Sequence, residues 1–259
     1  MDFAINTNTI LAIRVDVEES SEMTSQLLFG EYCAILEENE AFCKIENCID
    51  KHIGWVKKDG LHPLSSQEIE EIKKQPTIRV CVPMADVFCL TDKTIYRFTI
   101  GSLIPNYDAN TSKFELAGKI YQIHPSFITY LPESNKEGIV PTAMSLLNTP
   151  YLCGGKNIFG MDCSGFVQTV FSVNGYILPR FARQQSNEGI IIENISDAEA
   201  GDLLFFEKDS KIFRAGIYMG GYKAIHVANN ARIDNIDQNG TYEVPGIYTY
   251  KLSKIKRLA

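Results

Sequence analysis

The sequence lacks the basic excess that a polyanion would demand. Its formal net charge is −7 and its isoelectric point about 5.2, with 25 Lys and Arg against 32 Asp and Glu. Nucleic acid and an anionic membrane surface are therefore not expected partners, whereas peptides and small molecules remain open. No apolar run approaches the roughly 20 residues of a membrane span. The start, Met1-Asp2-Phe3-Ala4-Ile5-Asn6, has an acid where an export signal would carry Lys or Arg, and Arg14 breaks its best apolar stretch. The chain as given is expected in the cytoplasm, with the cell envelope open if its start has been trimmed.

Metal-binding cysteine pairs are missing too. No two Cys-x-x-Cys motifs occur, and the histidines are His52, His62, His124 and His226, so no zinc or other metal site is expected. The seven cysteines, Cys33, Cys43, Cys48, Cys81, Cys89, Cys153 and Cys163, are an odd number in a chain too long to need staples. They read as buried thiols in a reducing compartment. What is present is ordinary globular composition, 45% apolar and 22% charged over 259 residues, enough for two or three domains.

The first sixty residues alternate short β-rich segments, near 9–17, 31–36, 41–46 and 54–57, with polar turns such as Glu37-Glu38-Asn39-Glu40. Gly54-Trp55-Val56 holds the one Trp and resembles the closing strand of a bacterial SH3-like barrel. From Leu64 to Gln75, Ser65 and Ser66 precede Glu68, Glu70 and Glu71, and Lys73 and Lys74 come late; this charge order suits a helix that Pro76 ends. A second β-rich stretch follows, with strands near 78–83, 94–98, 114–116 and 119–123. The expected division is 1–63, an SH3-like module; 64–76, a helical linker; 77–134, a second SH3-like module; and 135–259, an α+β domain.

In that last part a helix is expected from Pro141 to Leu147, then a Gly-rich loop, Tyr151-Leu152-Cys153-Gly154-Gly155. Asp162 sits in an N-cap position and Cys163 opens a helix whose apolar set is Phe166, Val167, Val170 and Phe171. Strand-like runs follow at 201–206, 213–219 and 223–228. A thiol at a helix start meets backbone N–H groups and the positive end of the helix dipole, which is expected to lower its pKa from about 8.5. The same amides are suited to a tetrahedral oxyanion.

Pro150-Tyr151-Leu152-x-Gly154-Gly155, Asp162-Cys163-Ser164-Gly165-Phe166-Val167-Gln168, Leu178-Pro179-Arg180, Gly201-Asp202-Leu203-Leu204-Phe205-Phe206, Gly216-Ile217-Tyr218 and Ile225-His226 together resemble the NlpC family of cell-wall cysteine peptidases. The resemblance covers about residues 140–259, in the family's order and at its spacing. It implies a papain-like fold, no metal or other cofactor, and an acyl-enzyme mechanism with Cys163 as nucleophile. Members with two SH3-like domains cut the bond between γ-D-glutamate and a diamino acid, so a peptidoglycan-derived peptide is the implied partner. Tyr151, Asp162, Ser164 and Phe181 take the substrate-side positions; the oligomeric state is left open.

Three residues depart from the family pattern. Arg214 stands where the general base, a His, is expected; Cys153 replaces an aromatic; Phe181 replaces an Asp after Leu-Pro-Arg. An arginine stabilises a thiolate but cannot accept its proton. His226, at the family's orienting position, shares a face with Arg214 if the intervening turn has odd length and lies opposite it if the turn is Gly220-Gly221 alone. Two readings stand: a peptidase using Cys163 with His226 as an unorthodox partner, or a pseudoenzyme that binds cell-wall peptide or a protein through the old cleft. Acyl transfer or an ester substrate is a thinner third. Asp162 either meets a substrate amine or only caps its helix, and Tyr151 either lines the site or packs on the helix.

Overall fold

The computed structural model describes residues 2–130 and 133–258, and the chain separates into two compact units, Met1–Ser134 and Asn135–Ala259. The first unit opens with β1 (Asp2–Asn6), β2 (Ile10–Arg14), β3 (Met23–Leu28), β4 (Tyr32–Glu38), β5 (Phe42–Asn47), β6 (Ile53–Lys57) and β7 (Leu61–Leu64). These form one antiparallel sheet in the order β3-β2-β6-β5-β4-β1-β7. Period-2 alternation sets its inner face: Cys43 and Ile45 of β5 join Ala4, Leu11, Ile13, Leu27, Cys33 and Val56 in the core.

Helix α1 (Ser66–Lys74) begins with the reciprocal cap its sequence announces. The Ser65 hydroxyl accepts from the Glu68 N–H at 3.2 Å while the Glu68 carboxylate takes the Ser65 N–H at 2.8 Å. Beyond it lie β8 (Ile78–Val80), β9 (Met84–Cys89), β10 (Thr94–Thr99), β11 (Lys113–Leu116), β12 (Lys119–Gln122) and β13 (Ile128–Tyr130). Strand β9 was not expected. Its outward residues include Met84 and Phe88 and its inward ones the small Ala85, Val87 and Cys89, so polarity does not mark the alternation.

The cores of the two β-rich stretches are joined. Phe29, from the corner after β3, stacks on Phe98 at 3.8 Å between ring centres and meets Phe114 and Tyr121 edge-on. Next to it, Gly30 has φ +75° and passes so close to Leu103 that an added Cβ would fall 2.2 Å from the Leu103 carbonyl oxygen. Only glycine combines that approach with that φ.

The second unit holds α2 (Lys136–Ser145), β14 (Lys156–Asn157), β15 (Gly160–Met161), α3 (Cys163–Val173), α4 (Ala182–Gln185) and β16 (Ile190–Ile192), then β17 (Leu203–Lys208), β18 (Lys211–Gly220), β19 (Lys223–Val227), β20 (Ala231–Asp237), β21 (Gly240–Val244) and β22 (Ile247–Arg257). Helix α2 starts five residues before Pro141, because the Asn135 side chain caps it through the Gly138 N–H at 3.2 Å; Pro141 is tolerated inside. Strands β17 to β22 run antiparallel, and β22 pairs with both β17 and β21, closing a six-stranded barrel. The unit is mostly β with few helices. Helix α3 packs on β18, and its Phe166, Val167, Val170 and Phe171 are at most 1% exposed. Each such burial contributes about 1.5–3 kcal/mol, which fixes where Cys163 sits.

Candidate active site

The start of α3 is held by a network centred on Asp162. Its carboxylate caps the helix, taking the Gly165 N–H at 2.7 Å, and also accepts the Gly154 N–H at 2.9 Å. Arg180, 1% exposed, grips both its oxygens, at 3.0 and 2.6 Å, and gives a further hydrogen bond to the Ser164 hydroxyl at 3.0 Å. The Ser164 hydroxyl in turn donates to Asp162 at 3.1 Å. Burial alone would raise the Asp162 pKa; the charge and hydrogen bonds of Arg180 and the two N–H groups outweigh it, and the carboxyl lies below its ordinary value. The loop before the helix is equally tight. A Cβ on Gly165 would fall 2.1 Å from the Gly155 carbonyl oxygen, so that position lets the Gly-rich loop close on the first turn.

Cys163 is 8% exposed and its Sγ lies 3.9 Å from the Phe213 carbonyl oxygen. Here the expectation of a lowered thiol pKa fails. Burial, followed by the charge of Asp162, pushes the thiol up, against the Ala215 N–H and the charges of Arg214 and Arg180. Desolvation outweighs the helix-end field.

Arg214 and His226 share one face of the barrel wall. Gly216 pairs with His226 and Tyr218 with Ala224, which sets Arg214 and His226 on one face; the turn itself is the two residues Gly221-Tyr222, neither of the two turns expected, and a register shift between Tyr218 and Gly220 sets the parity. The Arg214 guanidinium donates through Nη1 to the Val227 carbonyl at 2.8 Å and lies over the rings of Tyr250 and Phe213, at 4.7 and 5.4 Å. Its Nε is buried without an acceptor among the described residues. His226 is fully enclosed: its Nε2 is 2.8 Å from Asp234, which also binds Arg232 at 2.8 Å, and its ring meets the edges of Tyr250 and Phe206. Burial would raise the Asp234 pKa, but His226 and Arg232 prevail and lower it.

The remaining positions lie nearer solvent. Tyr151 is 46% exposed, its hydroxyl pKa raised by partial burial and then by Cys153, Asp162 and Cys163. Cys153 is exposed. Phe181 is half-open, its ring 5.9 Å from the Arg180 guanidinium. Asp234, Arg232 and Tyr250 were not anticipated: Arg232 and Asp234 come from β20, the next strand of the hairpin after His226, and Tyr250 from β22, which barrel closure brings to Arg214 and His226. Arg180 was visible in Leu178-Pro179-Arg180, but no spacing pointed it at Asp162. Among the described residues no group of three or more His, Cys, Asp or Glu is arranged to hold a metal ion.

The second unit thus sets a cysteine at the head of a buried helix that packs on a closed barrel. The NlpC/P60 family profile matches residues 148–245, and that of the bacterial dipeptidyl-peptidase SH3 domain matches 13–61. The chain therefore carries an NlpC/P60 domain and a bacterial dipeptidyl-peptidase SH3 domain. It is 30% identical over 180 residues to the γ-D-glutamyl-L-lysine dipeptidyl-peptidase of Bacillus subtilis, covering 67% of this chain and 59% of that protein. It is 26% identical over 251 residues to dipeptidyl-peptidase 6 of Lysinibacillus sphaericus, covering 84% and 86%. A crystal structure of an NlpC/P60 family protein from Bacillus cereus has the same fold, with a TM-score of 0.83 and 17% identity over 98% of this chain and 99% of that one.

Proposed function

We propose that this chain binds peptidoglycan-derived peptides of the γ-D-glutamyl–diamino acid class and that its Cys163 centre no longer hydrolyses the amide efficiently. The carrying observation is Arg214, a guanidinium in the general-base position, stacked on Tyr250 and tied to the Val227 carbonyl. It stays protonated and cannot take the thiol proton or return one to a leaving amine. His226 does not stand in the family's general-base position: the ring is wholly buried, its Nε2 meets Asp234 and its Nδ1 has no partner among the described residues. Losing acid–base help costs about 10²–10⁴-fold in rate, and the raised Cys163 pKa adds to that loss. The ligand class rests on the printed activity of the Bacillus subtilis relative.

A working thiol peptidase is the second reading. It is favoured by Cys163 heading α3 with the Ala215 N–H directed at its sulfur, and by relatives named as peptidases. SH3-like modules over 1–63 and 77–134 with a linker at 64–76 remain the proposed division. A reducing compartment is the proposed location, supported by seven unpaired cysteines. Titrating the protein calorimetrically with a γ-D-glutamyl–diamino acid peptide and then chromatographing the same sample tests the proposal. Binding with the peptide intact is expected; absent binding, or cleavage that disappears in Cys163→Ala, would overturn it.

A further inference from the structure

Arg214 has no counter-charge. Of the chain's eight arginines, Arg97, Arg180, Arg232 and Arg257 each meet a carboxylate, at 3.2, 2.6, 2.8 and 2.8 Å, whereas Arg14 and Arg79 are held by the Ser21 and Gly101 carbonyls. Arg214, half-buried on β18, meets none among the described residues. Its neighbours are a backbone carbonyl and two neutral rings, and its Nε has no acceptor. Burial pushes the Cys163 thiol pKa up, and the acid flanking it, Asp162, is already neutralised by Arg180. Position 181 supplies an uncharged ring. A partly desolvated cation without an anion is costly, so the cleft is electrostatically incomplete until a ligand supplies negative charge.

We propose that Arg214 makes the Cys163 cleft a carboxylate-binding site, whose preferred ligand is the free γ-carboxylate of a glutamyl group rather than its γ-amide. This rests on the reading of the cleft as a γ-glutamyl-peptide site and sharpens it. A guanidinium offers a planar fork that matches two carboxylate oxygens, whereas the γ-amide group itself brings no charge to that position. The ligand is then the acid left when a γ-glutamyl amide has been cut. A γ-glutamyl amide hydrolase is the class of reaction that must supply it.

The test compares N-acetyl-D-glutamate with N-acetyl-D-glutamine, identical except for the γ group, by calorimetric or NMR titration of the full chain at low salt. Wild type is expected to favour the acid by about tenfold or more, the scale of one charged hydrogen bond. Arg214→Gln should bring the ratio close to one, and Arg214→Lys should retain part of it, since a point charge remains without the fork. Equal affinity of wild type for acid and amide, no binding of either, or a preference that survives in Arg214→Gln would each overturn the inference. If Arg214→Gln does not fold, the wild-type ratio decides alone. Cys163→Ala should keep the ratio. Cleavage dependent on Cys163 would therefore defeat the proposed lack of hydrolysis while leaving this ratio standing, and a ratio near one would defeat only the carboxylate site.

Discussion

Asp162 and Arg180 meet through two parallel hydrogen bonds, 3.0 and 2.6 Å, directly beneath the first turn of the Cys163 helix. Removing one partner strands a buried charge. Arg180→Met is expected to cost about 3–5 kcal/mol of unfolding free energy in a urea titration. The same pair makes stability depend on acid. The Asp162 pKa is lowered in the fold, so its contribution is complete above the ordinary aspartate value of about 3.9 and fades as pH falls through the lowered one. Stability measured from pH 6 downward should therefore drop more steeply in wild type than in Asp162→Asn; parallel curves would refute the assignment.

Cys163 should be a slow thiol. Reaction with iodoacetamide requires the thiolate, and burial with the Asp162 charge holds the proton on. At pH 8 mass-spectrometric mapping should find the exposed Cys153 alkylated before Cys163. The Cys163 rate should still be climbing above the ordinary thiol range near about 8.5. A Cys163 that labels first at pH 7 would mean that the helix end outweighs burial.

Much of this was legible in the amino-acid order. Asp162 as cap, Cys163 as first helical residue, a helix between Leu64 and Pro76 and the β-rich first unit follow from local chemistry, which spacing encodes. Closure of the barrel does not. Strand β22 pairs with β17 through a register shift between Phe205 and Phe206, and a bulge breaks the period-2 signal that would reveal its inward residues. For the same reason Tyr250 was invisible as a partner of Arg214 and His226. The Cys163 pKa was misjudged because local sequence displays the helix end but not the depth of burial around it.

His226 is a structural member of the barrel interior in this account. His226→Leu deprives Asp234 of one of its two partners, and a loss of about 1–3 kcal/mol is expected in thermal or urea unfolding. Peptide affinity at the Cys163 cleft should be unchanged at a temperature where the variant is folded. Unchanged stability together with a change in peptide chemistry would instead make His226 a reacting group.

Arg214→His returns a proton acceptor to the position beside Cys163, on the same face as His226 and Asp234. A gain in hydrolysis of a γ-D-glutamyl–diamino acid peptide of about 10²-fold or more over wild type is expected. The gain must vanish in the Arg214→His/Cys163→Ala double variant. A gain that persists without the thiol would show that Cys163 has no part in it.

The most direct test is a single-turnover experiment, with protein in excess over a γ-D-glutamyl–diamino acid peptide and the released amine quantified over hours. Wild type and Cys163→Ala are expected to release it at the same background rate, with no acyl adduct on Cys163 by intact-mass analysis. Release by wild type that is lost in Cys163→Ala, or a thioester on Cys163, would contradict the account.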